Sequence, residues 1–271
     1  MKRPPSAKRN TTQAKIVDAA ARLLREHGAA AVTTRRVAEE AGVQPPTIYR
    51  LFGDKDGLLE AVAEYVMAGY ASAKVALVEA ASADNVDPLD DLRAGWRSQI
   101  DFALANPDLF RLLSDPARVA RSPGAQLGKR VLETRVHRVA AAGRLRVSEP
   151  RAVDMIQAAG IGVIQTLLAT PAEHRDPDLA DAIYDAILAR ILTDARQPLQ
   201  HEPMATAVTF RAIAPELTML THAERQLLDD WLSRVISTLH EAGPPPLPGQ
   251  PSRDTTTARD VLPSAPEPPG Q

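Results

Sequence analysis

The sequence predicts an all-α protein, and three observations support this prediction. Apolar residues recur at three- and four-residue spacing along the chain, whereas sustained alternation with period two is absent. Few residues (4%) are aromatic and alanine is abundant, which favours helices over sheets. Four proline residues directly follow Asp or Asn, a pairing that is typical of helix starts. The chain of 271 residues, 44% of them apolar, is long enough to bury a sizeable core.

Glycine, proline and capping residues delimit four helices in the first third of the chain. Ser, Thr and Asp accept hydrogen bonds from the free N–H groups of a helix start, proline fits the first turn, and glycine suits the end. The expected helices are one over 12–27, ended by Gly28; a short one capped by Thr33 or Thr34 and ended by Gly42; a third opened by Pro45 and Pro46 and closed by Gly53; and a long fourth capped by Asp54.

Helices continue through the rest of the chain, and a proline-rich tail follows them. The Asp-Pro and Asn-Pro pairs and the apolar spacing predict helices over 88–105, 107–114, 124–143, 150–169, 177–195 and 203–214. Thr221 and Glu224 form a capping box before a strongly amphipathic helix over 222–240. Nine prolines within 242–271 predict a disordered tail. The expected organisation is a flexible basic arm at 1–10, a first domain at 11–56, a helical body at 57–196, additional helices at 197–241, and the tail.

Positive charge is concentrated at the N-terminus. The first 50 residues hold ten basic and four acidic side chains, a net charge of +6, whereas the whole chain carries −2, so the remaining 221 residues carry −8. This asymmetry favours an N-terminal module that binds a polyanion, although a plain solvated face gives the same pattern. Lys2, Arg3, Lys8 and Arg9 are compatible with an arm that reaches into a nucleic-acid groove or with a soluble leader.

Residue types and spacing argue against an enzyme. The absence of cysteine excludes a disulfide framework, a thiolate metal site and a cysteine nucleophile. The six histidines are at least 18 residues apart, so no pair one helical turn apart exists to hold a metal. The sequence contains neither a nucleophile elbow, a Walker loop nor a dinucleotide fingerprint. The adjacent carboxylates Asp90-Asp91 and Asp229-Asp230 are expected to face solvent. We therefore expect neither catalysis nor a cofactor.

Two segments of the sequence bear on the expected cellular location of the protein. The basic N-terminus has no apolar stretch behind it, so it does not resemble a signal peptide. Residues 155–172 are uncharged and reach the minimum length of a membrane span, but they include Gln157, Gln165 and Pro171 and have charges close on both sides. A buried helix explains this segment better. A soluble, cytoplasmic protein is therefore expected.

Residues 33–59 predict a helix-turn-helix, in which two short helices are joined by the tight turn Ala41-Gly42-Val43. The second of these helices can lie in the major groove of DNA. Hydroxyl and basic side chains can donate to phosphate oxygens, apolar ones can meet thymine methyls or sugars, and Gln44 or Arg50 can reach a base edge. The candidate phosphate donors are Thr34, Arg35, Thr47, Tyr49 and Lys55, and the apolar candidates are Pro45, Pro46 and Leu51. Two alternatives stay open: Tyr49 as a core aromatic, and Arg35 as a merely solvated side chain.

The segment from Thr11 to about Val66 resembles the DNA-binding domain of the tetracycline-repressor (TetR) family of bacterial transcriptional regulators. The motifs that carry the resemblance are Ile16-Val17-Asp18-Ala19-Ala20, Thr33-Thr34-Arg35-Arg36-Val37-Ala38, Ala41-Gly42-Val43, Thr47-Ile48-Tyr49-Arg50-Leu51-Phe52, and Lys55 with Leu58-Leu59. The resemblance implies that the third helix enters the major groove. It also implies that Thr34, Tyr49 and Lys55 hold phosphates, and that Arg35, Pro45, Pro46, Thr47 and Leu51 face the DNA. Pro46 departs from the pattern, because many members have glycine there.

The resemblance further implies a homodimer, in which helices 150–169 and 177–195 pair with their mates. The candidate interface residues are Val153, Ile156, Gly160, Val163, Ile164, Leu167, Leu179, Ile183, Ile187 and Ile191. The same apolar side chains suit an intrachain core equally well. The role of the helix at 222–240 stays open between extending the dimer surface and covering a ligand pocket.

Members of this family usually hold a mostly apolar ligand pocket in the helical body. The candidate lining residues are Trp96, Phe102, Phe110, Met155 and Gln165, each of which also suits plain core. The resemblance implies a repressor that a small-molecule effector releases from a palindromic double-stranded operator. An architectural or ligand-independent DNA-binding protein is the alternative, and an enzyme is disfavoured.

Overall fold

The computed structural model describes residues 5–112, 116–193 and 203–241, and over these ranges it confirms the all-α prediction. The described ranges contain α1 (Pro5–His27), α2 (Thr34–Ala41), α3 (Pro45–Phe52), α4 (Lys55–Ala83), α5 (Pro88–Ala105), α6 (Pro107–Leu112), α7 (Pro116–Arg121), α8 (Pro123–Ala141), α9 (Glu149–Ala169), α10 (Leu179–Ile191), α11 (Pro203–Ile213) and α12 (His222–Glu241). Short 3-10 turns lie at Ala29–Ala31, Ala172–His174 and Ala214–Glu216. The expected tail at 242–271 lies outside the described residues.

The first three helices and the start of α4 enclose a core of their own. α1 packs against α2 and α4, and α3 packs against α2 and α4. Ile16, Ile48 and Leu58 are fully buried at the centre of this core. Burying an aliphatic side chain of this size contributes roughly 1.5–3 kcal/mol. Because three short elements share one core, the helix-turn-helix is held rigidly on the first half of α4.

The remaining helices form a larger body around a second core. α4 lies along α8, and α9 lies among α5, α8 and α10. α11 packs against α8, and α12 packs mainly against α11. α4 is 29 residues long, or about 43 Å at 1.5 Å per residue. It is therefore common to both cores and connects the N-terminal domain with the body.

The predicted caps of α2, α4 and α12 are confirmed. The Thr33 hydroxyl accepts the N–H of Arg36 at 3.2 Å before α2, and the Asp54 carboxylate accepts the N–H of Gly57 at 2.8 Å at the start of α4. Gly42 ends α2 with a φ of 64°, a left-handed conformation that favours glycine. At α12 the capping box is reciprocal: Glu224 accepts the Thr221 N–H at 2.8 Å, and the Thr221 hydroxyl accepts the Glu224 N–H.

The prediction of a flexible arm over 1–10 differs from the structure, because α1 begins at Pro5. Residues 5–11 extend the helix by about two turns before the predicted start. Pro5 fits a first helical position, and Ala7, Lys8 and Arg9 all favour helix, so nothing in this segment ends it. Residues 1–4 lie outside the described residues.

The predicted bounds of the helix at 177–195 are wrong at both ends. α10 begins at Leu179 because the Asp176 carboxylate accepts the N–H of Asp178 at 2.9 Å and forms a turn instead of a helix cap. α10 ends at Ile191 because the next residues pair with the loop after α8. The Ile191 carbonyl accepts the Arg146 N–H, and the Thr193 N–H donates to the Arg144 carbonyl, both at 2.9 Å. A long-range pairing thus overrides the local helical pattern.

Two of the described helices, α4 and α9, are long and apolar enough to cross a membrane by length and composition alone. Their apolar faces pack inside the chain: Leu58 and Val62 of α4 lie in the first core, and Val153 and Ile164 of α9 lie in the second. The interpretation of residues 155–172 as part of a buried helix agrees with this packing up to Ala169, where α9 ends.

The last helix presents an apolar stripe to solvent. Leu227, Trp231 and Val235 recur every four residues on α12, and each is about half exposed. Ile236 on the opposite side is buried and belongs to the core of the body.

Among the residues that line the cavity described below, none lies on α12, so the idea that this helix covers a ligand pocket is not supported.

Candidate functional site

The helix-turn-helix presents one face of α3 to solvent. Ile48 is fully buried and holds α3 on the first core, while Val37 does the same for α2. Pro46 and Arg50 are exposed and lie on the opposite side of α3 from Ile48, and Gln44, the residue before the helix, is also exposed. Pro45, Thr47 and Leu51 are half-buried along the border between the two sides. The predicted recognition helix is therefore displayed and not packed inside.

Tyr49 lies on the exposed side of α3, and the alternative of a core aromatic is wrong. Its side chain is 52% exposed. Its hydroxyl lies 3.2 Å from the hydroxyl of Thr34 at the start of α2. Two hydroxyl groups from different helices thus meet at one point of the surface, near the free N–H groups of the α2 N-terminus.

Basic side chains flank this point. Arg35 is 87% exposed and pairs with Glu39 one turn later, with Nε 3.2 Å from the carboxylate. Lys55 is exposed at the first position of α4. An exposed ion pair of this kind contributes little to stability, so Arg35 can exchange Glu39 for another anion at small cost.

The first turn of α8 binds α4 close to the N-terminal domain. The Glu64 carboxylate accepts a hydrogen bond from the Ser122 hydroxyl at 2.5 Å and another from the Gly124 N–H at 2.7 Å. A β-carbon at Gly124 would lie 2.9 Å from the backbone nitrogen of Ala68, so the two helices approach as closely as glycine permits. One turn earlier, Glu60 pairs with Arg118 of α7 at 3.0 Å. These contacts fix α4 to the part of the body that also lines a cavity.

A cavity of about 600 Å³ lies in the body between α4 and helices α5 to α9. Of the predicted lining residues, Trp96, Phe102, Phe110 and Gln165 do line it. Met155 does not; it packs against the second core, because the next residue on α9, Ile156, takes the position that faces the cavity. The Trp96 indole N–H donates to the Ala180 carbonyl at 3.1 Å, which fixes the ring in the cavity wall.

Charged residues of the cavity wall were missed by sequence reasoning. Lys74, Lys129 and Arg135 line the cavity, and the lining residues that the structure describes include neither Asp nor Glu. Lys74 was detectable in principle, because it falls on the spacing of the buried α4 residues Ala71 and Val78, where an apolar side chain is expected.

Asp91 corrects the prediction that both carboxylates of the Asp90-Asp91 pair face solvent. Asp90 is exposed, but Asp91 is buried. One Asp91 oxygen accepts a hydrogen bond from Nε of the equally buried Arg135 at 3.0 Å. The other oxygen accepts a hydrogen bond from Nη1 of Arg138 at 2.7 Å. A β-carbon at Gly95 would lie 2.5 Å from Nη1 of Arg135, so this glycine provides the space for the guanidinium.

The predicted interface residues are mostly core, which corrects their assignment to a dimer surface. Those that are buried within the chain are Val153, Ile156, Gly160, Val163, Ile164, Leu167 and Ile191. Those that are partly buried against the second core are Leu179, Ile183 and Ile187. α9 has neighbours on three sides, so its apolar face packs inside the chain. The outward face of α9 and α10 carries small residues, among them Ala158, Gly162, Ala182, Ala186 and Ala189.

Comparison with known proteins agrees with this geometry. A protein-family model described as "Bacterial regulatory proteins, tetR family" matches residues 16–62. This segment forms the helix-turn-helix and the parts of α1 and α4 that support it. The N-terminal domain is therefore a tetR-family domain. The match covers α2 and α3 completely and ends in α4, so the tetR-family domain is the one built on the first core.

Curated relatives are similar in this tetR-family segment. A tetracycline repressor protein of class A from Escherichia coli is 45% identical over 53 residues, which is 20% of this chain and 24% of that protein. The transcriptional regulator YvkB of Bacillus subtilis is 47% identical over 51 residues, 19% of this chain and 27% of that protein. The nucleoid occlusion factor SlmA of Haemophilus influenzae is 30% identical over 108 residues, 40% of this chain and 47% of that protein. The matched segments span between a quarter and a half of the relatives' length.

Solved structures extend the likeness in fold to the body. The structure of RolR in complex with resorcinol has a TM-score of 0.56 at 20% identity and covers 73% of this chain and 99% of that protein. A TetR transcription regulator from Haloarcula marismortui has a TM-score of 0.51 at 19% identity and covers 68% of this chain and all of that one. These identities are low, so they show that the body shares the fold of tetR-family proteins and nothing about its ligand.

Proposed function

We propose that this chain is a DNA-binding transcriptional regulator: a homodimeric repressor that a small ligand releases from a palindromic operator. The observation that carries the proposal is the display of α3 within a tetR-family domain, with Gln44, Tyr49 and Arg50 exposed and Ile48 buried beneath them. A short helix presented in this way fits the major groove. Bacterial DNA lies in the cytoplasm, so the protein would act there.

Thr34, Tyr49 and Lys55 would hold phosphates in this proposal. The Thr34 and Tyr49 hydroxyls lie 3.2 Å apart, so one phosphate oxygen can accept from both. Arg35 and Thr47 would contact the backbone beside them. Gln44 and Arg50 would reach base edges, and Pro45, Pro46 and Leu51 would contact sugars or thymine methyls.

The outward face of α9 and α10 is the surface that we propose for dimerisation. A two-fold operator requires two recognition helices about one DNA turn apart, and hence a paired surface on the body. The small residues on this face allow two helix pairs to approach closely, whereas the apolar residues first assigned to the interface already pack inside the chain.

The cavity is the site that we propose for the ligand. A volume of about 600 Å³ is within the range of small-molecule sites, and the wall is mostly apolar. The ligand would release DNA by binding the non-DNA-binding conformation more tightly. Residues on α7 and α8 line the cavity, and the Glu64 contacts join the start of α8 to α4. A shift of α8 would therefore move α4 and with it the recognition helix.

Genomic footprinting of the purified protein tests the proposal as a whole. We expect protected sites with two-fold symmetry, and the neighbouring genes would indicate the ligand. Absence of any protected site would contradict a sequence-specific regulator. The similarity to SlmA keeps a ligand-independent DNA-binding protein as the second candidate. That candidate would gain support if footprints persisted in the presence of every compound that occupies the cavity.

We expect Tyr49→Phe and Lys55→Met each to weaken operator binding about tenfold, because each removes a contact to a charged phosphate worth about 1.5 kcal/mol. The loss should be similar for all operator sequences, and Lys55→Met should also reduce the slope of log K against log salt by about 1. Fluorescence anisotropy at several salt concentrations measures both effects.

Two exposed side chains in the body are matched controls. Tyr65→Phe alters a tyrosine of α4 that is as exposed as Tyr49, and Lys129→Met removes an exposed basic side chain of α8. Both controls should bind DNA as the unmodified protein does. If the Tyr49 and Lys55 variants also bind unchanged at every salt concentration, their assignment to phosphates is wrong.

A further inference from the structure

Lys74 is a buried ammonium group in the cavity wall, and the described residues offer it no counter-ion. Its side chain comes from the middle of α4, and the residue is 8% exposed. Among the described residues, no carboxylate lies within ion-pair distance of it. Its Nζ lies over the aromatic ring of Tyr70, 4.6 Å from the ring centroid. A buried charge without an opposite charge is costly, so this arrangement calls for an explanation.

The protein surroundings add positive charge and do not offset it. In the described part of the wall the other charged residues are Lys129, which is exposed, and Arg135, which is buried. Asp91, the carboxylate that pairs with Arg135, also accepts a hydrogen bond from Arg138. The single negative charge of Asp91 is thus already paired with two guanidinium groups, and Asp91 forms no ion pair with Lys74. Burial, and then the charge of Arg135, lowers the pKa of Lys74 to about 8, so the ammonium form still predominates at neutral pH.

The rest of the wall suits an apolar and flat molecule. Tyr70 and Phe102 are stacked with ring centroids 3.8 Å apart, and Trp96 and Phe110 add further aromatic surface. Neutral amides on the wall, such as Gln99 and Gln157, can orient polar substituents without adding charge.

We infer that the cavity binds a small organic anion, whose acidic group pairs with the Lys74 ammonium and whose apolar, aromatic body lies against Tyr70, Trp96 and Phe102. The anion supplies a counter-ion that the described residues do not provide. A neutral ligand of the same shape would leave Lys74 unpaired, and a cationic one would meet three positive charges. This inference rests on the proposed ligand-binding role of the cavity and names the class of molecule that it takes.

A pair of fluorescent probes tests the inference on the full chain. Anilinonaphthalene sulfonate is anionic, and N-phenylnaphthylamine has the same rings without the sulfonate. We expect the unmodified protein to bind the sulfonate about tenfold more tightly than the amine, a preference that corresponds to about 1.4 kcal/mol for the charged pair. Displacement by naphthylacetate but not by naphthylacetamide would extend the preference to carboxylates.

Variants at two lysines assign the preference to one residue. Lys74→Met should remove the preference for the sulfonate while the affinity for the amine changes less than about threefold, and Lys74→Arg should retain it. Lys15→Met removes the same charge from an exposed position on α1 that does not line the cavity, and it should leave the preference within about threefold. Near-ultraviolet circular dichroism establishes that each variant is folded.

The inference is overturned if the unmodified protein binds both probes equally, if the amide displaces the sulfonate as well as the acid does, or if folded Lys74→Met keeps the preference. None of these measurements uses DNA. A protein that binds the anion selectively and fails to bind DNA would refute the proposed regulator and leave this inference standing. A protein that binds an operator and releases it on adding a neutral compound would support the proposed regulator and refute this inference.

Discussion

Asp91→Asn is expected to lower the free energy of unfolding by about 3–5 kcal/mol, because removal of one partner from a buried ion pair leaves an uncompensated charge. Asp91 and Arg135 are both 5% exposed, and the carboxylate is also bound to Arg138. The amide can still accept one hydrogen bond, but it cannot neutralise the guanidinium groups of Arg135 and Arg138. Urea unfolding followed by circular dichroism measures the loss, with the slope m as a check on two-state behaviour.

Asp90→Asn is the matched control, since it makes the same chemical change one residue earlier at an exposed position. Its effect on unfolding should stay within about 0.5 kcal/mol. Equal losses at the two positions would show that the Asp91 network does not stabilise the body as argued. The comparison therefore separates the buried charge cluster from the general effect of a carboxylate near the start of α5.

Glu64→Ala is expected to lower the free energy of unfolding by about 2–3 kcal/mol, because it removes two charge-assisted hydrogen bonds and leaves a helix N–H group without its acceptor. The groups that lose their partner are the Ser122 hydroxyl, which is buried, and the Gly124 N–H. We also expect amide hydrogen exchange in the first turn of α8 to become faster than in the middle of that helix, since the contact closes this turn onto α4.

Glu60→Ala provides the comparison for Glu64→Ala. Glu60 lies one turn earlier on α4 and pairs with Arg118, but it is about half exposed, so its loss should cost less than about 1 kcal/mol. Unchanged exchange in α8 after Glu64→Ala would contradict the view that this carboxylate joins the two helices. It would also remove the structural basis for the proposed transmission from the cavity to α3.

Local signals predicted the helix-turn-helix and three helix caps correctly. The caps at Thr33, Asp54 and Thr221 and the glycine end of α2 act within three or four residues, so the sequence alone contains what determines them. The exposure of Tyr49 follows from Ile48 taking the inward position one residue earlier. The periodicity of α3, a helix of only eight residues, was sufficient to distinguish its buried side from its exposed side.

Long-range contacts explain the failures. Asp91 was assigned to solvent because its partner Arg135 lies 44 residues further on, and no local pattern links them. The apolar face of α9 looks the same whether it packs in its own chain or against a second one, so the interface residues could not be told from core. The end of α10 depends on its pairing with the loop after α8. The predicted phosphate and base contacts remain predictions until DNA binding is measured.

The two tryptophans of this chain stand in opposite surroundings, and this gives the protein two built-in optical reporters. Trp96 is buried in the cavity wall with its indole N–H bonded to a carbonyl, whereas Trp231 is half exposed on α12. Their emission should separate into a short-wavelength and a long-wavelength component. Caesium ions should quench the second selectively, since a cation is repelled from a basic cavity. Occupancy of the cavity can therefore be followed without any label, through the emission that survives the quencher.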